Sequence, residues 1–139
     1  RDRSVSRGLG DVYKRQLYGR NVVLIMALLK VYKNGQLLLD ECENANHFFT
    51  RFMGLMYRRS MEENHCLLLT PCNEIHTFGM KFDIDTIALS KDNEILFIDR
   101  AVPPKKVRKK VKDAYKVLEL CSGTADKLGL DVGDVLDFK

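Results

Sequence analysis

Leu28-Leu-Lys-Val-Tyr-Lys-Asn-Gly-Gln-Leu-Leu-Leu39 decides the fold class. Leu28–Tyr32 and Gln36–Leu39 are largely apolar and flank Lys33-Asn34-Gly35. Asn-Gly supplies the two positive-φ positions that a tight hairpin turn needs, so the stretch predicts two antiparallel strands. A second hairpin follows the same grammar: Thr86–Leu89, the polar Ser90-Lys91-Asp92-Asn93, then Glu94–Ile98. Between the hairpins, Cys66–Leu69 is a short apolar run stopped by Pro71, and Ile75–Phe82 reads as extended. Val102-Pro103-Pro104 ends the second hairpin, because proline cannot donate to a ladder. Tyr115–Leu120 reads as a strand, with Val117, Glu119 and Cys121 alternating against Lys116, Leu118 and Leu120. Val135–Phe138, entered through Gly133-Asp134, is the last strand.

Helices are few. Asn44 can cap a helix over Ala45–Met53, where Phe48, Phe49, Phe52 and Met53 fall at helical spacing and Gly54 is a stop. Thr124 can cap a short helix over Ala125–Leu128, ended by Gly129. There are no internal repeats and no low-complexity linker. The pattern predicts an α+β domain, predominantly antiparallel β. It would be a small barrel or sandwich with one helix in the N-terminal half and a short helix before the last strand.

Composition sets the outer bounds. A chain of 139 residues, 45% apolar and 30% charged, is the size of one domain and apolar enough to build a core. No apolar run approaches the roughly 20 residues of a spanning helix, so membrane insertion is not expected. Six basic and two acidic groups in residues 1–25 account for the whole formal charge of +4, and residues 26–139 carry seventeen of each sign. A neutral domain has no global attraction for nucleic acid. The opening RDRSVSRGLGDVYKRQ has no sustained period and resembles a translated adaptor remnant. Residues 1–25 are therefore expected to be a non-native or disordered head, with residues 26–139 a single domain and Met26 a plausible start. The basic YKRQLYGR before Val22–Leu29 has the outline of an export signal, but its apolar core is short and no small-x-small site follows. Cys42, Cys66, Cys72 and Cys121 are then expected to be free thiols in a reducing cytoplasm.

Three blocks carry a family resemblance: Arg51-Phe-Met-Gly-Leu-Met-Tyr-Arg-Arg-Ser60, Pro71-Cys-Asn-Glu-Ile-His-Thr-Phe-Gly-Met-Lys-Phe-Asp-Ile-Asp85, and Val117-Leu-Glu-Leu-Cys-Ser-Gly-Thr-Ala-Asp-Lys-Leu-Gly-Leu-Asp-Val-Gly-Asp134. In order and spacing the chain resembles the domain-of-unknown-function family 192 over roughly residues 28–138. The resemblance implies a small β-rich prokaryotic fold and no established activity. Asp83 is a departure, since relatives often have proline there. The closing LGLDVGDVL reads as a turn in which glycine takes a positive φ and aspartate bonds the turn backbone.

His76 is the first candidate for chemistry, since its ordinary pKa suits proton transfer. On a regular strand it would share a face with Phe78, Met80 and Phe82, so a core role stands beside a site role. Cys72 lies four residues earlier and could be a nucleophile with His76 as base and Asp85 orienting it. The alternative makes Cys72 a small buried hydrophobe and Asp85 a turn cap. Arg51, Arg58 and Lys81, with His76 and Thr77, could line a site for an anionic ligand, since arginine forks suit carboxylates and phosphates. His65, Cys66, Cys72 and His76 offer only a wide C-x5-C-x3-H spacing, so no metal is expected, and no cofactor motif is present. Lys105–Lys112 holds six basic groups in eight positions but no aromatic for stacking. The expected function is a non-enzymatic module binding a small ligand, an anion being one candidate, or a protein partner. A small hydrolase or transferase using Cys72 and His76 comes next, and nucleic-acid association through Lys105–Lys112 third.

Overall fold

The computed structural model describes the backbone of residues 12–17 and 22–27, and residues 28–46, 55 and 58–139 in full. The described residues include β1 (Val12–Leu17), β2 (Val22–Lys33), β3 (Gln36–Ala45), β4 (His65–Leu69), β5 (Ile75–His76), β6 (Ile84–Leu89), β7 (Ile95–Val102), β8 (Val107–Arg108), β9 (Lys116–Cys121), α1 (Thr124–Lys127) and β10 (Asp137–Phe138). Eight strands form one sheet in the order β1-β2-β3-β4-β9-β6-β7, with β10 on β2, while β5 and β8 form a separate ribbon. All pairs are antiparallel except β3 with β4. The fold is the predicted β-dominated one.

The β2–β3 hairpin turns at Asn34 and Gly35, with φ of 52° and 79°, the conformation that Asn-Gly prescribes. The sheet curls until its two ends meet. Val135 bridges Glu94, Ile95 N–H donates to Asp134 O at 2.8 Å, and β10 pairs with β2. The 131–138 segment thus joins the start of β7 to β2 and closes a barrel. Inside it lie Val31, Leu39, Cys42, Cys66, Leu68, Ile87, Leu89, Leu118, Leu120 and Leu136, all buried. The closing turn has the predicted form: Gly133 has φ 97° and Asp134 Oδ2 accepts Asp131 N–H at 2.9 Å. Lys33 Nζ meets the same oxygen at 2.9 Å and holds the Asp134 carboxyl below its ordinary range.

Several expectations need correction. Asn44 and Ala45 end β3 and do not open a helix; Asn44 pairs in register with Leu68, so the ladder takes its backbone groups. Residues 47–53 of the proposed helix lie outside the described residues. The extended run Ile75–Phe82 is a strand only over Ile75–His76, because Met80 N–H bonds Thr77 O and Gly79 takes φ 81°, turning the chain. Of Val135–Phe138, only Asp137–Phe138 is strand. Val12–Leu17, which overlaps the opening stretch without a sustained period, pairs with Val22–Ala27. The helix before the last strand is present, but Thr124 does not cap it. Gly123 occupies the cap position, with φ 90° and no side chain to offer, and Asp85 from β6 supplies the acceptor.

Among the described residues no helix is long and apolar enough to cross a membrane.

Candidate functional site

The outer face of the sheet is also covered. Leu55, Met61, Ile75 and Met80 lie over Ala45, Leu67, Leu69, Ile84 and Val117. Strand pairing places a row of side chains across this face: Glu43 of β3, Leu67 of β4, Glu119 of β9, Thr86 of β6 and Asp99 of β7. Directly opposed residues share a face, so four polar groups stand in line under a cover. Sheet faces between layers are normally apolar, and buried polar groups there need partners.

At the β3 end, Arg58 meets Glu43 through both guanidinium arms, Nη1 to Oε2 at 3.2 Å and Nη2 to Oε1 at 2.8 Å. This is the fork geometry that arginine gives a carboxylate. At the β7 end, Arg108 Nε donates to Asp99 Oδ2 at 2.5 Å. In the middle, Glu119 is 4% exposed and its Oε1 meets no hydrogen-bond partner among the described residues. Burial pushes its carboxyl up to about 7, against the opposing pull of the Arg58 charge.

Beside this row lies a cleft of about 360 Å³. Its floor is the sheet face at Thr86, Ala88, Phe97, Asp99 and Val117. Its roof is the β5–β8 ribbon and the basic strap that follows, through Ile75, Arg108, Lys109, Lys110 and Val111. The volume falls in the range of small-molecule sites, and an apolar floor under a few charged groups is their usual chemistry. Thr77 fixes the roof. Its hydroxyl donates to Pro103 O at 2.7 Å and accepts Lys106 N–H at 2.8 Å, and its own N–H bonds Lys106 O at 2.8 Å.

The family model described as Uncharacterized ACR, domain of unknown function 192 (DUF192), matches residues 29–138. The chain belongs to DUF192. Two solved structures share its fold. One is a protein of unknown function from Novosphingobium aromaticivorans, with TM-score 0.75 and 17% identity, covering 95% of this chain and 96% of that one. The other is a Sinorhizobium meliloti protein described as a candidate transcription regulator, with TM-score 0.68 and 25% identity, covering 79% of this chain and 91% of that one. No curated protein matches the chain.

In this DUF192 domain the residues named from sequence are dispersed. His76 is exposed on the ribbon, paired in register with Val107, so it is not a core histidine. Its neighbour Thr77 is fully buried as the anchor of the roof. Lys81 is exposed beyond the turn. Cys72 is half-buried, and its thiol donates to Glu74 O at 3.1 Å. Asp85 faces the barrel interior, on the other side of the sheet from the ribbon, and accepts the backbone N–H groups of Ala101, Gly123 and Ala125, each at 3.0 Å. Asp85 therefore does not orient His76. Arg58 is committed to Glu43, and Arg51 lies outside the described residues. Of the metal candidates, His65 Nε2 bonds Glu41 and Cys66 faces the barrel core; among the described residues no three His, Cys, Asp or Glu groups are placed to hold a metal.

The polar row was not read from the sequence. Glu119 stands in Val-Leu-Glu-Leu-Cys, where alternation suggests a strand wet on one side. The available signal was the apolar residue on both sides of a lone glutamate, which marks a strand buried on both faces.

Proposed function

We propose that this domain binds a small amphipathic anion in the cleft between the sheet and the basic strap. The observation that carries the reading is the pairing of an apolar floor, Ala88, Val117 and Phe97, with the cationic roof of Arg108, Lys109 and Lys110. The apolar part of such a ligand displaces water from the floor, and its carboxylate or phosphate meets the lysines at the rim. Arg108 is held by Asp99, which fixes its fork toward the opening without consuming all of its donors. Thr86 contributes a hydroxyl at the level of the floor. In this reading His76 and Lys81 stand outside the pocket, Thr77 positions its roof, and Cys72 and Asp85 take no part in a reaction.

The test is a thermal-shift and calorimetric screen of short aromatic and acyl carboxylates and phosphate monoesters, each beside its neutral amide or alcohol. A ligand at 100 times its dissociation constant adds about 2.7 kcal/mol to stability. Ala88→Leu, which fills the floor, and the double change Lys109→Glu, Lys110→Glu are each expected to abolish the shift. Neutral isosteres binding as well as the anions, or binding indifferent to both variants, would refute the reading.

A further inference from the structure

The β5–β8 ribbon has a second face. Ile75 and Arg108 turn into the cleft, so their neighbours His76 and Val107 turn outward, where Val107 is 60% exposed. Phe78, 48% exposed, stands with its ring centroid 5.6 Å from that of His76 at an interplanar angle of 36°. Lys105 and Lys106 immediately precede Val107, and Lys81 follows the turn after Phe78; all three are exposed. None of the three makes an ion pair among the described residues. The basic run alone has no ring on which a base could stack. The fold supplies two, because the ribbon lays the 76–78 turn against it, and the Thr77 bonds hold the two segments in fixed register.

We infer that this outer face docks single-stranded nucleic acid, with Phe78 and His76 as the stacking platform and Lys81, Lys105 and Lys106 as phosphate contacts. Flat aromatic faces beside mobile cations are what unpaired nucleotides require, since every base has a π-face and every linkage a charge. A duplex is a poorer fit: a ribbon with two residues per strand offers little to enter a groove. An anionic bilayer is poorer too. One phenyl and one isopropyl group bury less apolar surface than a single acyl chain, which itself gives only marginal membrane binding. The inference concerns the face opposite the cleft and does not depend on the anion site.

The experiment is fluorescence anisotropy of a labelled twelve-nucleotide oligothymidylate titrated with the full chain, beside phosphatidylserine vesicles. Three phosphate contacts predict a log–log salt slope of about −2, a loss of about 20-fold between 50 and 200 mM salt. Phe78→Leu keeps apolar bulk and removes the π-face; it is expected to weaken binding about 5- to 150-fold, while Phe78→Tyr retains it. Lys105→Glu with Lys106→Glu is expected to flatten the salt slope. Circular dichroism of each variant checks that the domain remains folded. Absence of binding at 50 mM salt, equal affinity of the Phe78→Leu variant, or binding of vesicles but not of the oligonucleotide would each overturn the inference.

Discussion

Asp85 stands in for the missing cap of α1: its Oδ2 accepts the N–H of Ala125 at 3.0 Å from a strand 40 positions earlier. The same oxygen takes Gly123 N–H, and Oδ1 takes Ala101 N–H at the β7 bulge, where Ala101 has φ 51°. One buried carboxylate therefore fixes a helix start and a bulge together. Asp85→Ala leaves three donors without their acceptor and is expected to cost about 3 kcal/mol or more, with Asp85→Asn milder because one oxygen remains. Urea unfolding midpoints measure it. A loss under about 1 kcal/mol for Asp85→Ala would mean that the junction does not depend on this group.

Glu119 gives the domain an unusual pH response. Its carboxyl is raised from 4.5 to about 7 by burial, so the folded chain holds this proton more tightly than the unfolded chain does. The stabilising contribution is complete below about 4.5 and is lost as pH rises through about 7. Glu119→Gln removes that loss. The variant is expected to match the wild type near pH 4 and to exceed it at pH 8 by an amount on the order of 3 kcal/mol. The other titrating groups are common to both chains, so the difference in melting temperature across pH isolates this one. Parallel curves from pH 4 to 8 would show that Glu119 is not held neutral.

Thr77→Val conserves shape and deletes the hydroxyl bonds to Pro103 and Lys106. The expected cost is about 1–2 kcal/mol globally. The more telling readout is local: amide hydrogen exchange at Lys106 should rise sharply, because its N–H donates to Thr77 Oγ1. Unchanged exchange there would mean that the β5–β8 pairing holds the roof without Thr77.

None of the four cysteines is in a disulfide, and they differ in access. Cys42 and Cys66 are buried opposite one another in the barrel, and burial pushes the Cys66 thiol well up. Cys72 and Cys121 are only partly covered. Iodoacetamide under native conditions is expected to label Cys72 and Cys121, with Cys42 and Cys66 reacting only on unfolding. Mass spectrometry of digested protein reads the order directly, and early labelling of Cys66 would contradict its place in the barrel interior.

Much of the barrel was legible because its signals are local. Asn34-Gly35 demands a specific turn, and Gly133-Asp134 another, whatever the rest of the chain does. The β5–β8 ribbon was not legible, since two residues pairing with two others leave no periodicity to detect. The cap of α1 was missed for a related reason: a local pattern proposes Thr124, while the acceptor comes from Asp85, brought there by the β6–β9 pairing. The polar row is the extreme case. Glu43, Thr86, Glu119 and Asp99 are scattered along the chain, and only strand register sets them side by side.

Barrel closure bears on how the domain forms. Lys33 and Asp134, whose ion pair pins the closing turn, are 101 positions apart, and among the described residues β10 pairs only with β2. The β2–β3 hairpin can form from neighbouring residues, but the hydrophobic interior stays open to water until the opposite end of the domain arrives. A topology that depends on so distant a pairing pays loop-closure entropy before it gains burial, and such domains fold in milliseconds to seconds rather than microseconds. Refolding of this protein should therefore be slow for its size, with the 131–138 segment among the last parts to become protected.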